Sequence, residues 1–179
     1  MPLRISTLFL ATSLLLLASA TAAWSDSGDV AFGYSRAGAN LYAPNTPGMN
    51  GWQLAAQVRT FPFVGFEGDL SHYGATVGAG TQNATLYMFG PRLTVGTMGY
   101  SVFVHALGGI AHVTSNPVAG FPASSSNTIS YALGGGVDLP LYHLLKFRIS
   151  GDDLGDGNEP SSPYSPSHFR IGVGLALHF

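Results

Sequence analysis

Apolar and polar residues alternate at every second position in eight separate segments of the chain. The last segment shows this most clearly, because apolar residues recur at every second position from Phe169 to Phe179. A period of two is typical of β-strands that have one apolar face and one polar face. The segments span residues 29–35, 51–60, 64–71, 87–95, 100–113, 129–139, 145–152 and 168–179.

The connections between these segments alternate in length. Short ones follow the second, fourth and sixth segments, at residues 61–62, 96–99 and 140–143. Long ones, rich in Gly, Pro, Ser and Asn, follow the other segments, at residues 36–50, 74–82, 114–127 and 153–166. Short turns at one rim and long loops at the other are typical of outer-membrane barrels. The pattern predicts an all-β fold, an eight-stranded antiparallel up-and-down transmembrane β-barrel.

The composition supports a protein whose outer surface does not face water. Only 9% of residues are charged, whereas about 25% is usual for soluble domains. The 24 glycines and 11 prolines disfavour a helical bundle. The chain has no cysteine, so neither a disulfide framework nor a thiolate metal site is predicted.

Residues 1–23 are predicted to be a signal peptide that is cleaved after export through the Sec pathway. Arg4 precedes an apolar run at residues 5–17, which is followed by small residues up to Ala23. The run is shorter than the roughly 20 residues that a spanning helix needs. Cleavage after Ala20, Ala22 or Ala23 fits equally well, and 24–179 would form the outer-membrane β-barrel domain.

Charged residues fall on the polar face of the segments, and the apolar face of the segments has none. A Lys or Arg on the lipid face near the bilayer centre costs about 2–4 kcal/mol, so the polar face is predicted to point into the barrel. Five basic and five acidic residues there predict an interior plugged by ion pairs; a polar pore is the alternative. The predicted interior charges are Asp29, Arg59, Glu67, Asp69, Arg92, Asp138, Lys146, Arg148, Asp152 and Arg170.

Aromatic residues are predicted to form two girdles at the membrane interfaces. The outer girdle would contain Trp52, Tyr73, Tyr131 and Phe169, and the inner one Phe61, Phe63, Tyr100, Tyr142 and Phe179.

Pro91 interrupts the fourth segment. Because proline lacks the N–H that a sheet ladder uses, it is rare in paired strands away from edges. With Gly90 before it, a local β-bulge is predicted.

Three stretches and the last strand resemble a known family. Residues 86–92 (LYMFGPR), 102–109 (VFVHALGG) and 131–138 (YALGGGVD) resemble the small outer-membrane β-barrel domain family, which includes the transmembrane domains of outer-membrane proteins A and X. The resemblance implies an outer-membrane location. The last strand resembles the C-terminal signal read by the barrel-assembly machinery, which implies that machinery as a partner. The signal residues are Phe169, Ile171, Val173, Leu175, Leu177 and Phe179.

Candidate catalytic and metal sites are weak. Ser71 and His72 are adjacent on a strand, so they point to opposite faces and cannot act together. An acidic group in the last long connection, Asp152, Asp153, Asp156 and Glu159, could bind calcium, but a solvated loop is preferred. No catalytic residue, cofactor or metal is predicted. No basic patch or aromatic platform indicates nucleic acid.

The sequence therefore predicts a non-enzymatic outer-membrane barrel with a structural or surface-interaction role. Its partners would be membrane lipids and an extracellular ligand or surface, contacted through four long extracellular loops. A narrow channel for small solutes and a lipid-modifying enzyme of the outer membrane are the two alternatives.

Overall fold

The computed structural model describes residues 27–38, 48–77, 80–97, 99–116, 124–156 and 169–179, and these form eight β-strands. The predicted signal peptide lies outside the described residues. No helix in the described residues is long and apolar enough to cross a membrane. The strands are β1 (Ser27–Ala37), β2 (Met49–Arg59), β3 (Val64–Val77), β4 (Gly80–Thr97), β5 (Tyr100–Asn116), β6 (Ser124–Tyr142), β7 (Leu145–Asp156) and β8 (Phe169–His178).

Each strand pairs with the next in an antiparallel sense, and β1 pairs with β8 to close the barrel. The predicted eight-stranded up-and-down barrel is confirmed. Backbone hydrogen bonds between Gly28 and Phe179 complete the seam. Following paired residues once around the barrel leads from Ser27 to Ala37, which is a stagger of ten residues along β1 and makes the strands tilt. This row passes through Arg59, Gly65, Arg92, His105, Gly134, Asp152 and Arg170.

The apolar face of the strands is the outer face. In β1, Phe32 is 60% exposed whereas its neighbour Ala31 is 6% exposed, and the same alternation runs along β5. A polar interior and an apolar exterior reverse the arrangement of a water-soluble barrel, as predicted. The outer surface is therefore suited to lipid, in which a closed barrel leaves no backbone group unpaired.

Strands β3 to β6 extend beyond the others at the rim with the longer connections. β4, β5 and β6 contain 18, 17 and 19 residues, and β1, β2, β7 and β8 contain 10 to 12, close to the 9–11 or so that a bilayer requires. The outward side chains of this extension are polar, and those that the structure describes include no Asp, Glu, Lys or Arg. They include Asn83, Thr85, His112 and Asn127.

The prediction of a long loop at residues 74–82 is wrong. β3 and β4 pair as far as Val77 and Gly80, so a two-residue connection joins them. This part of the hairpin lies past the apolar outer surface, where the outward face becomes polar and the inward face carries small apolar residues such as Ala75 and Ala84. The four predicted loops therefore differ in size, and the connections after β1 and β7 are the longest.

Tyr73 does not belong to the outer girdle. Its side chain points into the barrel and is fully buried, because it shares the inward face of β3 with Asp69 and Ser71. The other residues of both predicted girdles are exposed on the outer surface or rims. They are Trp52, Tyr131, Phe169, Phe61, Phe63, Tyr100, Tyr142 and Phe179.

The bulge predicted at Pro91 is also wrong. The register between β4 and β5 is the same on both sides of it, at Phe89–Gly108 and at Arg92–His105, although pairing is interrupted between them. Because proline lacks an N–H, part of the hydrogen-bond ladder between β4 and β5 is missing, but neither strand contains an extra residue there. The register shift in this barrel lies between β6 and β7, at Pro140 and Tyr142.

Candidate functional site: the charged interior

The structure buries eight of the ten predicted interior charges. Arg59 and Lys146 are half-buried, at the end of β2 and the start of β7. The other eight come from six different strands and all point inward, because each occupies the polar face of its strand. They are Asp29, Glu67, Asp69, Arg92, Asp138, Arg148, Asp152 and Arg170.

The first cluster, here called the lower cluster, lies towards the rim with the short turns and consists of Asp29, Glu67, Arg92, Asp138 and Arg148. Arg148 donates to Asp138 from Nε (2.6 Å) and Nη2 (2.9 Å), and to Asp29 from Nη2 (2.6 Å). Arg92 donates to Glu67 from Nη1 at 3.0 Å and lies 3.5 Å from Asp138 and 3.8 Å from Asp29. Arg92 and Arg148 thus both lie close to the carboxylates of Asp138 and Asp29.

Phe103 packs between the two guanidiniums of the lower cluster. Its ring centroid lies 3.6 Å from Cζ of Arg92 and 4.9 Å from Cζ of Arg148. Arginine on an aromatic face is attracted by the ring quadrupole, and the attraction strengthens away from water. Gly136 makes room for this ring, because a Cβ there would come within 2.7 Å of it.

The second cluster, here called the upper cluster, surrounds Arg170. This side chain donates to Asp152 from Nε (2.6 Å), and to Asp69 (3.2 Å) and Ser71 (2.9 Å) from Nη1. Gln53 also donates to Asp69. Since carboxylates buried without partners are costly, these contacts are what keeps the two aspartates inside.

His105 joins the two clusters. Its Nδ1 lies 3.2 Å from Glu67 and its Nε2 lies 2.7 Å from Asp152. Ionised carboxylates only accept hydrogen bonds, so both ring nitrogens must donate, which requires the imidazolium form. Within the described part of the chain, no other hydrogen bond or ion pair connects the clusters. The position of His105 on the polar face of the segment at residues 100–113 is the sequence signal for its inward orientation, but that signal does not identify its partners.

Apolar side chains close the interior above the upper cluster, towards the rim with the longer connections. Tyr73 stands at the boundary, with its hydroxyl 3.0 Å from Ser35. The buried cluster above it contains Ala37, Met49, Ala84, Leu86, Met88, Leu107, Ala111, Val113, Ala132 and Leu154. The interior thus consists of charges in its lower and middle parts and an apolar layer at its upper end.

The described residues give no support to the weaker candidate sites. Ser71 points inward to Asp69 and Arg170, whereas His72 points outward and bonds Thr85 at 2.9 Å. Asp152 is a buried partner of Arg170, so it cannot join a calcium-binding loop with Asp156 and Glu159, whose side chains lie outside the described residues. Among described residues, no group of three His, Cys, Asp or Glu is arranged to hold a metal.

Solved structures with this architecture are outer-membrane proteins. Neisserial surface protein A superposes with a TM-score of 0.60 at 10% identity, over 86% of this chain and 96% of that one. The N-terminal β-barrel domain of Pseudomonas aeruginosa OprF gives 0.54 at 17% identity, over 87% and 98%. The fold is that of the small outer-membrane β-barrels.

The attachment invasion locus protein Ail of Yersinia pestis, solved with the heparin analogue sucrose octasulfate, gives a TM-score of 0.58 at 14% identity, over 87% of this chain and 99% of Ail. No protein-family model matches the chain. No curated protein matches it in sequence either. The resemblance stated from the sequence is therefore confirmed for the fold.

Proposed function

We propose that this protein is a non-enzymatic outer-membrane barrel with a plugged interior, whose outer end serves a structural or surface-interaction role. The observation that carries the proposal is the pairing of buried charges in the middle of the barrel, beneath an apolar layer. Paired charges and packed apolar side chains among the described residues support an interior that holds the barrel in shape rather than one that passes solutes. The fold supports the location, because similar barrels are outer-membrane proteins.

The interaction surface in this proposal is the extension of β3 to β6 together with the connections at the same rim. Its outward side chains are hydrogen-bonding groups, several of which pair across strands, as in His112 with Asn127 at 2.7 Å. Among the described residues near this rim, the exposed charged ones are Arg36 and Asp153. The surface is therefore suited to a neutral polar partner. The Ail structure was solved with a sulfated heparin analogue, which a surface with so few bases would bind poorly.

Cysteine labelling in intact cells tests the location and orientation. The chain has no cysteine, so single substitutions give a clean signal. Ser125→Cys, exposed on β6, should react with a membrane-impermeant maleimide in intact cells. Thr60→Cys, in the short turn after β2, should react only after the outer membrane is permeabilised. Equal labelling of both, or the reverse order, would contradict the proposal.

Planar-bilayer recordings test the plug against the alternative of a narrow channel. The refolded protein should show no regular openings. Reproducible unitary conductance would establish the channel instead. A change in host lipid structure on expression, detected by mass spectrometry, would favour the lipid-modifying enzyme.

Export and assembly form the last part of the proposal. Residues 1–23 would be removed after Sec export, which N-terminal sequencing of the membrane-inserted protein checks. The outward residues of β8 end at Phe179, whose ring lies exposed at the lower rim, available to the barrel-assembly machinery. Phe179→Ala should then lower the amount of inserted protein in cells more than it lowers refolding into detergent. Equal losses in both would argue against a recognition role.

A further inference from the structure

A small cavity lies at mid-height in the barrel, between the charged clusters and a wall of small residues. It leaves about 20 Å³ for the centres of water-sized spheres, which is room for one or two water molecules. Strands β1, β2 and β8 contribute mainly small residues to its lining, together with Gln53. Strands β3, β5 and β7 contribute most of the polar side chains. Its lining includes Ala55, Gln53, Glu67, His105, Arg148 and Ser150.

Arg148 lines this cavity and carries a buried donor without a partner among the described residues. Its Nε and Nη2 bond Asp138 and Asp29, but its Nη1 is buried and has no hydrogen-bond partner among the described residues. A buried donor without an acceptor loses its hydration without compensation. The arginine itself is nine-tenths buried and lines the cavity. An acceptor inside the cavity would satisfy it.

We propose that the cavity is an internal water site, in which a water molecule accepts a hydrogen bond from Nη1 of Arg148. Ser150 and Gln53 also line the cavity, which provides the two to four polar partners that buried water usually has. An anion fits less well, because Glu67 lines the same space and the five buried carboxylates outnumber the buried cations, which are three guanidiniums and the imidazolium of His105. The plug is then hydrated at its centre. This inference goes beyond the proposed function and holds whatever the outer rim binds.

Two isosteric substitutions at Ala55 test the site. Ala55 is buried on β2 and lines the cavity. Threonine and valine fill the same space there, but only threonine offers a hydroxyl in place of the displaced water. Ala55→Thr should therefore have the higher urea midpoint in lipid vesicles, and Ala55→Val should fall below the wild type. A valine variant equal to or better than both others would mean a dry apolar cavity and would overturn the proposal.

Ala176 provides the matched control. It packs in the same small buried cluster as Ala31 and Ala55 but does not line the cavity. At this position threonine should have no advantage over valine. The same advantage at both positions would show that threonine is simply preferred in this wall, and would remove the support that Ala55 gives.

A direct measurement covers the case in which the Ala55 variants do not fold. In nanodiscs with ¹⁵N-arginine, the Arg148 side-chain signal, assigned by its loss in Arg148→Lys, should show a cross-relaxation peak to water. A visible Arg148 signal without that peak would overturn the water site. A shift of the signal when chloride is replaced by a bulky anion would do the same, since it would identify an ion as the ligand.

Discussion

Replacing Arg170 by methionine tests whether the charged interior is held together by its buried ion pairs. Methionine keeps much of the side-chain volume but removes the guanidinium from Asp152 and Asp69, both fully buried partners. Breaking a buried ion pair costs about 3–5 kcal/mol. Asp152 keeps His105 at 2.7 Å and Asp69 keeps Ser71 at 2.5 Å. We therefore expect a loss near the lower limit, about 3 kcal/mol of unfolding free energy.

The assay is equilibrium urea unfolding of the barrel in lipid vesicles, followed by the mobility difference between boiled and unboiled samples. Arg36→Met is the matched control, because Arg36 is exposed at the upper rim and bonds only Asn50 among described residues, at 3.2 Å. It should change stability by no more than about 0.5 kcal/mol. A loss for Arg170→Met as small as that of the control would refute a stabilising role for the buried ion pairs.

A double-mutant cycle sharpens the result. Asp69→Asn removes one of the carboxylates that Arg170 neutralises, so the double variant should lose less than the sum of the two single losses. Additive losses would mean that Arg170 and Asp69 do not interact in the folded barrel.

Three further predictions concern neighbouring features. His105→Gln retains one donor group but loses the charge, so the contact with one of the two clusters is lost. We expect the free energy of unfolding in the same urea assay to fall by about 1–3 kcal/mol. An unchanged stability would exclude the bridging role. Phe103→Ala should cost about 3–5 kcal/mol. Phe103→Leu keeps most of the apolar volume but not the ring faces, so it should cost less but still be measurable, and no loss for the leucine variant would mean that the ring faces add nothing. Val104→Lys, on the lipid face of β5, should cost about 2–4 kcal/mol, whereas His112→Lys, further up that face, should cost about 0–1 kcal/mol. Similar losses at both positions would place the bilayer boundary elsewhere.

The faces of the strands could be predicted from the sequence because lipid and interior make opposite demands at alternate positions. The same parity should have placed Tyr73 inside, two positions beyond Ser71, but its residue type suggested an interfacial girdle. The prediction of a loop at residues 74–82 was wrong for another reason. Beyond the apolar outer surface the outward face of the β3–β4 hairpin becomes polar and its inward face carries small apolar residues such as Ala75 and Ala84. The polar and apolar faces are therefore exchanged there, and the apolar alternation that marks the strands elsewhere is lost.

The pairing of interior charges could not be predicted from the sequence. Which side chains meet across the interior depends on the ten-residue stagger, and Arg170 and Asp69, 101 positions apart, meet only because of it. The role of His105 was hidden in the same way, since neither of its partners is near it in the chain. Pro91 shows a further limit: whether a missing N–H shifts the register or merely interrupts the ladder depends on the neighbouring strand.

The wide separation of ion-pair partners constrains how the barrel can enter a membrane. Arg148 and Asp29 stand 119 positions apart, on β7 and β1, and Arg170 on β8 meets Asp69 on β3. A sheet inserted strand by strand would bring these charges into hydrocarbon before their partners arrived, at a cost that lipid cannot compensate. We therefore expect the chain to curl into a nearly closed cylinder while its charges are still hydrated, and to cross the bilayer in a single kinetic step.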